Sequence, residues 1–307
     1  MRAVPARAGD PERPSHRDSF WGEAFAIQGS ITPFVIPRVL AFGAVAALVA
    51  TVVPLVRRAT GVDLSFDVAP YEVAGAVLAL LLVLRTNAGY ERWWEARRLW
   101  GGIVNQSRNL AIDAVAYGPD DPAWRERFVR TAAAFAHVSR ASLRGEPFPP
   151  EAAALVGAAA AARLAEGHMP SAVALALARM LRDAEGRMDR FAFLQADRER
   201  ATLIDHVGAC ERILRTPLPH VYAIKVRRFL LLYLLALPFG LLHDVGKLWL
   251  VPLVTMLVAY ALVSVDQIAL ELQNPFSTER LNHLPLDEIC ANIERTLLGY
   301  LRPDAGA

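Results

Sequence analysis

Cysteine is scarce in this chain: Cys210 and Cys290 are the only two thiols among 307 residues. Neither sits in a CxxC or Cys/His spacing, so a disulfide framework and a zinc site are both unindicated, and a reducing setting is expected. Charge of either sign nearly cancels, leaving a formal net charge of +2, which excludes a general affinity for nucleic acid. The seven histidines are scattered without HExxH or i,i+4 ligand spacing. Asp205-His206 has no GxSxG nucleophile to serve, and no glycine-rich phosphate cradle occurs. Gly101-Gly102 and the stretch 43–47 fit close helix packing instead. No strand signal and no internal repeat is visible. No cofactor, metal or chemical step is therefore expected. The Arg- and Pro-rich start, 1–18, lacks the apolar core of a signal peptide and is expected to remain as a flexible tail.

What the sequence has is apolar surface, unevenly placed. Hydrophobic residues make up 54%, and long stretches carry almost no charge. Residues 31–56 are long enough to cross a hydrocarbon core of about 30 Å, with Arg38 near one end where it can snorkel to headgroups. Val73 to Leu84 is shorter, but continues as helix through Arg85 towards Arg98, as if leaving a membrane into solvent. Phe229–Leu242 and Leu248–Val265 form a hairpin about the polar turn 243–247, and Pro238 and Pro252 are tolerable where neighbouring helices satisfy freed carbonyls. The basic residues Arg85, Arg92, Arg97 and Arg98 after the second span, and Lys225, Arg227 and Arg228 before the third, place both flanks in the cytoplasm. Arg57-Arg58, on the outer side, runs against that rule.

The expectation is an all-α chain of four transmembrane helices plus a helical cytosolic domain. Its divisions are a tail (1–18), spans one and two (19–85), the cytosolic domain (86–226), the hairpin of spans three and four (227–270) and a cytosolic C-terminal segment (271–307). Within the middle, 124–142, 151–166 and 171–193 are rich in good helix formers, with turns near 118–122, 145–150 and 167–170. A last helix is expected over 286–300.

Three separated stretches resemble the bestrophin family of ion channels. The first runs Arg85-Thr86-Asn87-Ala88-Gly89-Tyr90-Glu91-Arg92-Trp93-Trp94 to Gly101 and on through Ala111. The second is Thr216-Pro217-Leu218-Pro219 with Tyr222; the third is Glu271-Leu272-Gln273-Asn274-Pro275-Phe276 followed by Leu284-Pro285-Leu286-Asp287. The resemblance extends from about Ser19 to Leu301.

It implies a homopentamer around one central pore lined by span two, in a bacterial inner membrane; the basic flanks, with the Arg-rich start and Arg280, put both termini in the cytoplasm. The partners it implies are permeant monovalent ions, membrane lipid and further copies of the chain. Positions matching the family's hydrophobic neck are Ala76, Leu80 and Leu84, four residues apart and so on one helix face. Such a constriction gates by excluding water. A second, cytosolic constriction is placed loosely near Phe191 and Leu194. Eukaryotic members bind calcium after span four; here 274–282 holds Glu279 as its only carboxylate, with Arg280 beside it, against the six to eight oxygens calcium takes, so calcium activation is not expected.

Other residues carry two readings. Trp93-Trp94 supports the pore or, more plainly, sits in an interfacial aromatic belt. Arg85 sets the electrostatics below the neck, or serves as a topology anchor or an ion-pair partner for Glu91 or Glu95. Asp63, Asp67 and Glu72 form an acidic outer mouth, or are solvated loop charge offset by Arg57 and Arg58. The acidic mouth leans slightly towards cations, with anion passage the close alternative and a non-conducting membrane scaffold the rival from another class.

Overall fold

The computed structural model describes residues 22–302 apart from 23, 28, 68, 245 and 246. The whole of the expected N-terminal tail and the middle of the turn 243–247 thus lie outside the described residues. Those described form helices joined by short loops, with no strand among them. We number the helices α1 (Thr32–Thr60), α2 (Ala69–Ala116), α3 (Pro122–Arg144), α4 (Pro150–Val156), α5 (Ala158–Leu164), α6 (Met169–Asp183), α7 (Arg190–Arg215), α8 (His220–Asp244), α9 (Leu250–Glu271) and α10 (Leu286–Gly299).

Two cores result. The upper one joins α1, α8, α9 and the first third of α2 through Val35, Val39, Leu78, Leu82, Leu234 and Val263. Small residues let helices approach: a Cβ on Gly43 would lie 2.6 Å from the Met256 sulfur, so a larger residue in α1 would have to push that side chain of α9 aside. Among the described residues, α1, α2 and α9 are long and apolar enough to cross a membrane.

The lower core surrounds α3, whose middle is buried on all sides. Its run of Ala132, Ala133, Ala134 and Ala136 lets α6, α7 and α10 approach, while Phe128 and Phe135 fill the space between them. Helix α3 begins where Asp121 accepts from the Ala123 and Trp124 amides, each at 3.1 Å, and ends at Gly145 with φ 70°. Helix α2 belongs to both cores. Its 48 residues span about 72 Å at 1.5 Å per residue, with α7 packed along the lower part.

Two expected helices are broken. Residues 151–166 divide at Gly157, with φ 85°. Residues 171–193 stop at Asp183; the chain turns through Gly186 at φ 83° and restarts at α7, where the Asp189 carboxylate accepts from Phe191 N at 2.9 Å and Ala192 N at 3.2 Å. Phe191 therefore opens a helix instead of closing one.

Candidate functional site: the exposed stripe of helix α2

Helix α2 has two unlike faces in its upper part. Leu78, Leu82 and Arg85, spaced four and three residues apart, point into the protomer and are at most 2% exposed. On the other side Leu80 is 60% and Leu84 52% exposed, with Val73, Val77 and Val83 also open and Ala76 exposed above them. This apolar stripe has no cover among the described residues. Ala76, Leu80 and Leu84 succeed one another at about 6 Å along the axis, and the stripe continues downward through Asn87, Tyr90, Glu91 and Trp94.

The three resembling stretches converge just below. The Arg92 guanidinium donates to the carbonyls of Thr216 at 2.7 Å, Gln273 at 3.3 Å and Ile213. It thus ties α2 to the end of α7 and to the segment after α9, satisfying carbonyls that helix ends leave unpaired. Trp93 Nε1 donates to the Asn282 carbonyl at 2.8 Å, while Trp94 stays half-exposed and lies nearly parallel to Tyr90, centroids 6.4 Å apart. The Tyr222 hydroxyl donates to the Leu81 carbonyl at 3.1 Å, between the levels of Leu80 and Leu84.

Arg85 pairs with neither Glu91 nor Glu95. Its guanidinium meets the Asp266 carboxylate, whose second oxygen accepts from Arg227 Nε at 3.0 Å; Glu95 pairs with Arg212 at 2.7 Å. Asp266, the residue that follows the apolar run Leu248–Val265, is buried and lies before the last turn of a helix that continues to Glu271. The signal available was a lone carboxylate inside a hydrophobic stretch, which such a stretch keeps only with a partner.

The outer-mouth carboxylates do not come together as a bare acidic cluster. Asp63 pairs with Arg57 at 3.2 Å, and hydrogen bonds from Ser65, with that arginine, hold its carboxyl below the usual range. Asp67 accepts from the Ala69 amide at 3.1 Å, starting α2, and Glu72 stands exposed in its first turn. Phe191 is 81% and Leu194 56% exposed on the first turns of α7. At the end of α9, Glu271 accepts from the Leu281 amide at 3.0 Å and lies 3.7 Å from the Arg280 guanidinium. Among the described residues no three His, Cys, Asp or Glu side chains gather as metal ligands.

Comparison with known proteins gives a consistent picture. A voltage-dependent anion channel-forming protein of Mesorhizobium japonicum is 33% identical over 285 residues, 91% of this chain and 90% of its own length. Its namesake in Ralstonia nicotianae is 34% identical, over 89% of this chain and 90% of its own. The crystal structure of a bacterial bestrophin homologue from Klebsiella pneumoniae carrying the mutation L177T superposes with a TM-score of 0.80 at 27% identity, covering 88% of this chain and 99% of that one. The family model for bacterial and fungal bestrophin proteins matches residues 12–299, and the chain belongs to that family.

Proposed function

We propose that the protein is a pentameric ion channel whose α2 helices line one central pore. The observation that carries this is the uncovered apolar stripe on a helix that runs from the span-length bundle into the lower domain. Five copies turning Leu80 and Leu84 inward would make two apolar rings about 6 Å apart, with Ala76 a wider level above. An ion there finds no polar partner, so the neck conducts only when wet and wide. Phe191 and Leu194 would form a further narrowing at the far end of the lower domain. The protein is a channel and not an enzyme: transport is passive and no bond is made or broken.

Four spans, with α8 as the third, and cytoplasmic termini in a bacterial inner membrane complete the reading. Phe229–Leu242 is apolar throughout, and the basic flanks follow the positive-inside rule.

For selectivity the reading is anionic. Two relatives bear the name anion channel-forming. The ion pair of Asp63 with Arg57 and the helix-starting role of Asp67 weaken the acidic mouth that leaned towards cations. The test is the reversal potential of the purified protein in a planar bilayer under a KCl gradient. Displacement towards the chloride equilibrium potential supports anion passage; displacement towards potassium refutes it and returns the cation reading. Native mass spectrometry of the extracted protein gives the number of copies, five on this account.

A further inference from the structure

A groove of about 610 Å³ opens between α1, α8 and α9. At one end stand Arg38, Arg227 and Asp266; its walls are apolar, among them Phe42, Leu231 and Leu235. The charged end is the one at which α2 leaves the bundle, since Asp266 also meets Arg85. Along α8 the apolar wall reaches from Arg227 to Leu235, about 12 Å at helical rise.

The charge at this end does not balance. Arg85 and Arg227 share the single carboxylate of Asp266, and Arg38 lines the same end of the groove, so three guanidinium groups stand there against one carboxylate. Among the described residues Arg38 donates to a neutral acceptor, Gln267 Oε1 at 3.1 Å. Glu271 cannot offset the imbalance, because it is engaged by Gln267 at 2.9 Å and by Arg280 at 3.7 Å. A cationic end over an apolar slot at membrane depth has the chemistry of an anionic phospholipid site: phosphate on the arginines, acyl chain along the walls.

We infer that this groove holds one anionic phospholipid, its phosphate between Arg38 and Arg227 and an acyl chain against Phe42, Leu231 and Leu235. A second copy of the chain fits less well. Asp266 and Glu271 are already paired, and Glu91 lies on the stripe of Leu84. Asp266 is shared between Arg227 in the groove and Arg85 directly below Leu84, so a phosphate that draws on Arg227 alters what holds the neck helix. The inference rests on the membrane reading above.

The experiment is native mass spectrometry of the delipidated, assembled full-length protein titrated with phosphatidylglycerol and with phosphatidylcholine of the same chains. Phosphatidylglycerol is expected to bind roughly tenfold more tightly, and Arg38→Gln with Arg227→Gln to erase that preference. Arg38→Gln alone, which leaves the Asp266–Arg227 pair in place, should remove part of it. Leu231→Trp, which fills the slot without touching charge, should weaken both lipids. Equal binding of the two lipids, or an undiminished preference in the double variant, would overturn the inference. So would displacement of phosphatidylglycerol by glycerol phosphate at equal concentration, which would mean a site for free phosphate. A Leu231→Cys thiol shielded from maleimide in the delipidated assembly would overturn it too, by showing a neighbouring copy in the groove. A protein that needs no detergent for extraction sinks the membrane reading itself; a conducting protein without headgroup preference sinks only the lipid site.

Discussion

Asp266 of α9 holds Arg85 of α2 inside the upper bundle, one residue below Leu84 of the exposed stripe. The guanidinium is 1% exposed, so its charge is tolerated only because the carboxylate is there. Asp266→Asn removes the charge from the pair and leaves Arg85 buried without it. The expected cost is roughly 3–5 kcal/mol, read as a lower thermal midpoint and loss of the assembled species on size-exclusion chromatography. An unchanged midpoint would mean that the pair contributes nothing.

Asp287, in the first turn of α10, accepts from Arg144 at 2.9 and 3.0 Å and from Arg140 at 2.9 Å. The Arg144 hydrogen bond, with both guanidinium charges, holds its carboxyl below the ordinary 3.8. A carboxyl lowered on folding contributes stability that is full above its unfolded value and lost as pH falls through the folded one. Thermal stability should therefore decline below about pH 4, and Asp287→Asn should blunt that decline. At neutral pH the variant should lose on the order of 2 kcal/mol, because Arg140 and Arg144 remain buried with poorer partners. Melting curves against pH measure both effects.

Cys210 and Cys290 are buried in the lower core, and burial pushes each thiol up to about 12. Neither should react with maleimide in the native protein, because the thiolate is the reactive form. Both should react after denaturation. Rapid labelling of the folded protein would contradict the lower core as described.

Phe191 is 81% exposed and makes no part of either core. Phe191→Ala should change stability by less than about 0.5 kcal/mol. If it lines a second narrowing, the same substitution changes single-channel conductance or ion preference. Conductance identical to the parent protein would remove Phe191 from the pore.

Much of this architecture is legible because apolar helices announce themselves by composition. Leu248–Val265 reads as a span from its run alone, and the last helix, expected over 286–300, is found at Leu286–Gly299. The break between α6 and α7 is hidden because Gly186 and Asp189 sit among good helix formers, and only the cap geometry at Asp189 shows where the helix restarts. Leu80 and Leu84 come from the family resemblance, with helical spacing only putting them on one face, whereas the partner of Arg85 is given by neither. Glu91 and Glu95 are near in sequence, but on α2 they lie below the bundle, and the carboxylate that meets Arg85 arrives on a different helix. Tertiary pairing of that kind leaves no local pattern. The clasp at Arg92 is similar: its acceptors are backbone carbonyls, which any sequence supplies.

The measurement that bears most directly on the account is the single-channel conductance of Leu84→Ala against the parent protein, in the same bilayer and at matched protein amount. If Leu84 forms one of two apolar rings, truncating it widens the neck and eases its wetting, so conductance or open time rises several-fold. Currents identical in the two proteins would take Leu84 out of the permeation path, and no current from either, with the assembly intact, would contradict the channel reading.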